Sequence, residues 1–378
     1  MPSNSANSIH VVHMCQALAD WGHSVDLVAQ RGASGEEPFG GYGVDGGFRI
    51  RAFAKGRSRL ARVLIAVRSG LFALGHDFVI GRSLNACAVA AAVGVPTLFE
   101  AHEPLALGEL RILRIMARRR SFRGLVVITH KLADWYAGAV TELAGKIFVF
   151  PDGATPITRT LANRIAPVDG KLQVGYVGNL YPGKGLELIA KLAPLCQWAM
   201  FHIVGGDGEL LADWQRRLSP LTNVEFYGRV PHRDTAEYIS SFDVVVLPNG
   251  RVVESRDGKN ISEWTSPLKL FEYMAVGKPI VCSRLPALCE IITEGLNGLL
   301  CDPDNTQEWV DALLRLRDHP DLRLKLGEHA RRDLEQKYSW RARAGAIVSA
   351  ASSRQVQTLI SRGKWRQLIM SYMDRRSQ

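Results

Sequence analysis

The sequence predicts an α/β protein built from two doubly wound, Rossmann-like domains. Three observations carry this: short apolar strands alternate with helical patterns along the chain, several strands run into glycine-rich turns, and 378 residues without a low-complexity tract suffice for two cores. In the first half the strands fall at His23 to Gln30, Phe48 to Ala54, Asp77 to Ser83, Pro96 to Glu103, Gly124 to His130 and Lys146 to Pro151. In the second half they fall at Val174 to Val177, Phe201 to Val204, Val224 to Val230, Phe242 to Pro248 and Pro279 to Cys282. The expected divisions are a first domain over 1–155, a second over 156–340, and helices over 341–378 that return to the first. Pro151 to Lys171 reads as the linker.

The stretch Thr265 to Val281, Thr-Ser-Pro-Leu-Lys-Leu-Phe-Glu-Tyr-Met-Ala-Val-Gly-Lys-Pro-Ile-Val, reads as a helix that opens onto an anion and then feeds a buried strand. Ser266 suits the N-cap and Pro267 the first helical position, so the free amides at Leu268 and Lys269 would face a ligand. Lys269 and Glu272 share a face, Gly277 stops the helix, and Pro279 to Cys282 supplies the strand. A second phosphate-binding pattern is Val174-Gly-Tyr-Val-Gly-Asn-Leu-Tyr-Pro-Gly-Lys-Gly185, in the order strand, glycine-rich loop, helix. Here Gly178 and Gly183 would let the backbone approach a diphosphate, and Lys184 would supply a point charge.

At these residues the chain resembles the retaining nucleotide-sugar glycosyltransferases of the GT-B class, family four (group 1 type), in the subgroup with a Ser-Pro-Leu-Lys-Leu-Phe-Glu-Tyr-Met-Ala run. The resemblance implies two domains facing across a cleft, with the donor held by the second. It implies that Lys184 and the helix amides after Ser266 hold the diphosphate, that Glu272 binds the ribose, and that the segment around Arg229 and Val230 lies near the base. Two departures stand out. The family usually has an arginine where this chain has Asn179, and a first carboxylate where this chain has Trp264; Glu263, or more remotely Glu254, would have to stand in for that carboxylate.

In the first half, Thr97-Leu-Phe-Glu-Ala-His-Glu-Pro104 is an apolar strand ending in a histidine among carboxylates, at the end where open α/β sheets place ligands. By the resemblance His102 contacts the transferred sugar, with Glu103 nearby. The residues from Pro2 to Val11 look like the loop and first helix that follow an opening strand in this family, with Val11, Met14 and Leu18 on one face. The strand itself is missing, and the expectation is that its loss exposes two strand edges, with the natural product starting further upstream or this half unstable alone.

Composition sets the outer limits. The formal charge of +10 and a pI near 9.4 ask for an acidic partner. Arg111, Arg114 and Arg118 share a helical face, with Arg119, Arg120 and Arg123 directly after them. Lys55, Arg57, Arg59 and Arg62 precede an apolar stripe of Leu64, Val67 and Leu71. These features suit an anionic membrane surface, and equally a solvated basic face. They do not suit nucleic acid, because no stacking aromatics are interleaved.

No window is long and apolar enough to span a bilayer, and no secretory signal is visible. Six scattered cysteines point to a reduced, cytoplasmic compartment and away from a zinc site. Asp302-Pro303-Asp304 reads as turn and cap chemistry, and no metal or other cofactor is expected.

The reading is therefore a retaining, metal-independent glycosyltransferase acting on a nucleotide sugar and a saccharide or lipid-linked acceptor. The alternatives are a catalytically degenerate GT-B protein that binds a nucleotide sugar or a partner, and a nucleotide-sugar epimerase.

Overall fold

Parallel strands form in each half of the chain at the predicted places. The computed structural model describes residues 6–30, 39–53, 58–253, 260, 262–264 and 266–352. Lys55, Arg57, Glu254, Thr265, the side chains of Arg59 and Arg62, and the last helices expected beyond residue 352 lie outside this description. The chain divides into two compact units: 1–40, 44–151 and 340–378 form one, and 41–43 with 152–339 form the other.

The first unit opens with helix α1 (Ala6–Asp20), followed by strands β1 (Asp26–Gln30) and β2 (Arg49–Phe53). Next come α2 (Arg59–Phe72), β3 (Val79–Gly81), α3 (Leu84–Ala92), β4 (Thr97–Ala101), α4 (Leu107–Ala117), β5 (Phe122–Val127), α5 (His130–Ala139) and β6 (Ile147–Val149). Strands β1 and β2 pair in parallel, and β3, β4, β5 and β6 form a separate parallel sheet in that order. No strand among the described residues joins β1 to β3. Central β4 is buried at every residue, the mark of a parallel strand covered on both faces.

The second unit contains β7 (Leu172–Val177), α6 (Leu186–Leu195), β8 (Ala199–Val204), α7 (Gly208–Leu218), β9 (Val224–Gly228), α8 (Thr235–Ser240) and β10 (Val244–Leu247). It continues with α9 (Leu268–Val276), β11 (Ile280–Ser283), α10 (Pro286–Cys289), β12 (Leu299–Cys301), α11 (Thr306–Asp318) and α12 (Pro320–Asp333). All six strands are parallel, in the order β12-β11-β10-β7-β8-β9. The winding direction reverses at β7, between β10 and β8, and the crevice beyond the carboxyl ends there is where such sheets bind ligands.

One face of this sheet buries Val174, Tyr176, Val244 and Val246 with Leu192 of α6 and Trp309 of α11. The other buries Val177, Val245 and Leu247 with Phe271 and Met274 of α9. Each such side chain taken from water contributes about 1.5–3 kcal/mol.

The presumed linker is a correction to the sequence reading. Residues 152–171 carry no helix or strand, yet they are packed on the second unit. Ile165 is buried in its core, the backbone N–H groups of Arg164 and Ile165 donate to Ser241 Oγ, and Glu237 pairs with Arg159 and Arg164.

The chain then returns to the first unit as α13 (Trp340–Ser352), which packs on α1. The His10 ring stands edge-on to Trp340 at 5.1 Å, and Trp21 Nε1 donates to the Arg341 carbonyl at 2.9 Å.

Candidate functional site

In the second unit the site grows from the carboxyl end of β7. Tyr176 projects from that strand, its hydroxyl donating to the Asn179 carbonyl at 2.6 Å while its ring lies 4.2 Å under the Lys269 ammonium. Lys269 Nζ also donates to the Tyr176 hydroxyl at 3.0 Å. Gly178, at φ +156°, passes close to these groups: a Cβ there would stand 2.9 Å from Lys269 Nζ and 3.3 Å from the Tyr176 hydroxyl and would push the lysine aside. Gly183, at φ +76°, turns the loop where any side chain would strike the Val252 carbonyl.

Lys184 follows, just before α6. Burial lowers its pKa to about 8. Burial also pushes Lys269 well below the usual lysine range, and the charge of Lys184 adds to that push. Two partly desolvated ammonium groups, at a glycine-lined loop and at the first turn of α9, make a place where an anion restores what burial took away.

Ser266 is corrected. It is buried, its hydroxyl accepts the Asp152 N–H at 3.3 Å, and it does not cap the helix. Pro267, extended at φ −77° and ψ 121°, is the N-cap, and α9 starts at Leu268. Leu270 N–H already donates to the Pro267 carbonyl at 2.9 Å, which leaves the amides of Leu268 and Lys269 as the ones without an intrahelical acceptor. Gly277 ends the helix at φ +74°, as expected.

On the same helix Glu272 meets a residue the sequence reading missed. His232 Nε2 lies 2.8 Å from Glu272 Oε1. Burial alone would lower the His232 pKa, but the hydrogen bond to Glu272, the charge of that carboxylate and a backbone hydrogen bond at Tyr42 together hold the imidazole above its ordinary value. A signal was present in Val230-Pro231-His232, directly after the strand expected near the base.

The remaining expected donor residues are placed less tightly. Arg229 is exposed and paired with exposed Asp207 at 2.8 Å, a contact worth little in water. Val230 is half-buried against the core beneath α9, and Asn179 is exposed. Glu263 is exposed and Trp264 half-buried in a turn. Asp302 and Asp304 bind Arg251, and the Asp304 N–H closes a turn on Asp302 Oδ1; Asn305 caps α11.

The first unit holds a separate constellation at the carboxyl end of β4. Glu100 is buried, with His102 Nε2 at 2.5 Å and His10 Nε2 at 2.9 Å from its Oε1. Arg343 Nη2 lies 3.3 Å from the same oxygen. Burial would raise the Glu100 pKa, but the Arg343 guanidinium, with His10 and His102, holds it well below the usual carboxylate range.

The two imidazole nitrogens and the carboxylate oxygen lie within 4.8 Å of one another, the donor set of a small metal site. Arg343 already neutralises the carboxylate, so a divalent ion would add two uncompensated charges to the interior; the geometry fits a hydrogen-bond network better. Within it His102 donates from Nε2, which fixes its tautomer and ring orientation. His10 and Arg343 were not recognised from the sequence.

Two parallel-sheet units of this kind make up the GT-B glycosyltransferase fold. The structure superposes on Thermosynechococcus elongatus sucrose-phosphate synthase with a TM-score of 0.68 at 17% identity, covering 91% of this chain and 92% of that one. It superposes on Anabaena HepE, solved with UDP and glucose, with a TM-score of 0.69 at 16% identity over 93% and 97% of the two chains.

Residues 8–155 match the model of glycosyltransferase family 4, and residues 171–319 match that of the glycosyl transferases group 1. The chain belongs to the family 4, group 1 glycosyltransferases. Among curated relatives, the D-inositol 3-phosphate glycosyltransferase of Corynebacterium urealyticum is 29% identical over 224 residues, 56% of this chain and 50% of the relative. The alpha-D-kanosaminyltransferase of Streptomyces kanamyceticus is 27% identical over 200 residues, 50% and 48%. The chain spans about half the length of the curated relatives it matches.

Proposed function

We propose that this protein is a retaining, metal-independent glycosyltransferase of hexosyltransferase type. It moves a sugar from a nucleoside diphosphate donor to a saccharide or lipid-linked acceptor in cell-envelope or exopolysaccharide synthesis. The observation that carries this is the pair of desolvated lysines, Lys184 and Lys269, at the glycine loop and the start of α9, with Glu272 on that helix. The lysines and the α9 amides take the diphosphate and stabilise it as it leaves, a role a metal would otherwise fill. Glu272 takes the ribose hydroxyls, the segment at Arg229 and Val230 borders the base, and His102 is assigned to the transferred sugar.

Departure and attack on one face of the sugar are taken from the family that the chain resembles. A lipid-linked acceptor would be met at the cytoplasmic face of the plasma membrane. Anabaena HepE, solved with UDP-glucose, makes UDP-sugars the first donors to try.

The test is a thermal-shift panel of UDP-, GDP-, ADP- and dTDP-sugars, followed by release of nucleoside diphosphate, with Glu272→Ala as control. A shift and turnover that the substitution abolishes support transfer. Binding without turnover would identify a degenerate binding protein, and epimerised donor without release would identify an epimerase.

A further inference from the structure

Helix α2 is amphipathic in the wrong direction for a solvated helix. Its exposed face carries Leu60, Val63, Leu64, Val67 and Leu71, interrupted by Arg68, with Leu74 exposed in the turn just after it, and Leu60 is 68% exposed. Beside it lies α3, so close that a Cβ on Gly70 would stand 2.5 Å from Val89 Cβ, and α4 lies beside α3. Val93, Leu107 and Ile115 continue the apolar exposure across this row, and most of the exposed large apolar side chains among the described residues stand there.

At the end of α3 and α4 is a hollow of about 700 Å³, lined by Ala92, Pro96 and Ile115 and by Arg118, Arg119, Arg120 and Arg123. It sits at the amino ends of β4 and β5, the opposite end of the sheet from His102. Arg118 is paired with Glu142 at 2.6 Å, and the buried Nε of Arg123 makes no hydrogen bond among the described residues.

We propose that the α2–α3–α4 face docks on an anionic lipid bilayer, with the arginine-lined hollow taking a headgroup phosphate. Aliphatic side chains on α2, about 21 Å long, enter the interface while the arginines meet phosphate, the division of labour of an in-plane helix. A second copy of the chain fits less well, because an isologous contact would bring the same arginines together. RNA fits less well because the exposed face offers aliphatic side chains and no stacking aromatics. No helix among the described residues is long and apolar enough to cross the membrane, so the contact is peripheral. The proposal rests on the reading of a lipid-linked acceptor for its purpose but not for its geometry.

The test is co-sedimentation of the full chain with phosphatidylcholine vesicles, with and without phosphatidylglycerol, at low and high salt and without donor. Wild type is expected to sediment with the anionic vesicles, less in high salt and much less with neutral lipid. Each arginine near an anionic surface is worth about fivefold, so Arg119→Glu with Arg120→Glu should weaken binding by more than about twentyfold. Leu64→Asp should release the protein while leaving its thermal melt unchanged, because the side chain is already exposed.

Several outcomes overturn the proposal: equal binding to neutral and anionic vesicles, no binding to either, or variants that bind like wild type. A melt raised by glycerol phosphate with no vesicle binding does so too, as does a dimer that Leu64→Asp dissociates. Donor turnover retained by Leu64→Asp keeps this result separate from any failure of the glycosyltransferase reading.

Discussion

Arg343 and Glu100, separated by 243 positions, meet inside the first unit with guanidinium and carboxylate 3.3 Å apart and both side chains buried. Arg343 also donates to the carbonyls of Pro151 at 3.0 Å and Phe150 at 3.3 Å, so α13 is tied to the segment that follows β6 as well as to the carboxylate of β4. Removing one partner leaves an uncompensated buried charge, at a cost of about 3–5 kcal/mol. Arg343→Met is therefore expected to lower the melting temperature sharply at neutral pH. The double variant with Glu100→Gln should recover part of that loss, and a scan showing additive losses would sink the coupling.

Glu100→Gln alone addresses His102. An amide oxygen still accepts the Nε2 proton but no longer carries the charge that fixes the tautomer and ring. The expected result is a lower kcat with KM for donor little changed, because donor binding is assigned to the second unit. A fall in donor affinity equal to the fall in kcat would contradict a positioning role.

Lys184 links donor binding to pH. With its pKa lowered to about 8 by burial, the ammonium is lost as pH rises through that value in the free protein. A bound diphosphate favours the charged form, so binding takes up protons above about pH 8, and affinity for UDP falls as pH rises. Titration calorimetry in buffers of different ionisation enthalpy should show this uptake. Lys184→Met should weaken UDP and flatten the dependence, whereas proton uptake undiminished in that variant would assign it elsewhere, with Lys269 the first candidate.

What could be read in the sequence was local in the chain. The strand and glycine turn at Val174 to Gly185, and the spacing that puts Lys269 and Glu272 on one helix, depend on neighbours within a few residues. What escaped depends on packing. His232 reaches Glu272 across 40 positions, and Ser266 gives up the helix cap because Asp152, 114 positions away, donates to it. The apolar stripe of α2 was visible as periodicity, but whether it faces core or solvent is decided by α3. Residues 152–171 lack periodicity and so resembled a linker, although Ser241 and Glu237 hold them down.

The pair His232 and Glu272 separates binding of ribose from support of the carboxylate. Hydrogen bonds to a charged group are worth about 1.5–3 kcal/mol, so Glu272→Ala should weaken UDP roughly ten- to hundredfold. Ribose-free probes such as pyrophosphate should be weakened much less, since their contacts are with the lysines. His232→Ala should cost less than Glu272→Ala, and the two together little more than Glu272→Ala alone. Full additivity would show that His232 acts on the donor by itself.

His202 should cost the second unit stability in acid. It is buried on β8, with Nδ1 2.9 Å from the Tyr227 hydroxyl, Nε2 2.8 Å from Gln173 Oε1, and its ring stacked on Phe242. Burial drives its pKa down to about 4, against a weaker opposing pull from Glu225 and Asp243. The unfolded chain therefore takes up a proton near pH 6.5 that the folded chain refuses until about pH 4, and stability falls through that window as the medium is acidified. The full loss is on the order of 3 kcal/mol. His202→Gln keeps a donor and an acceptor without the titration, so the variant should start less stable at neutral pH but lose less on acidification. Melting temperatures of the two proteins from pH 7 to pH 4 should converge, and parallel curves would mean that another group sets the acid limit.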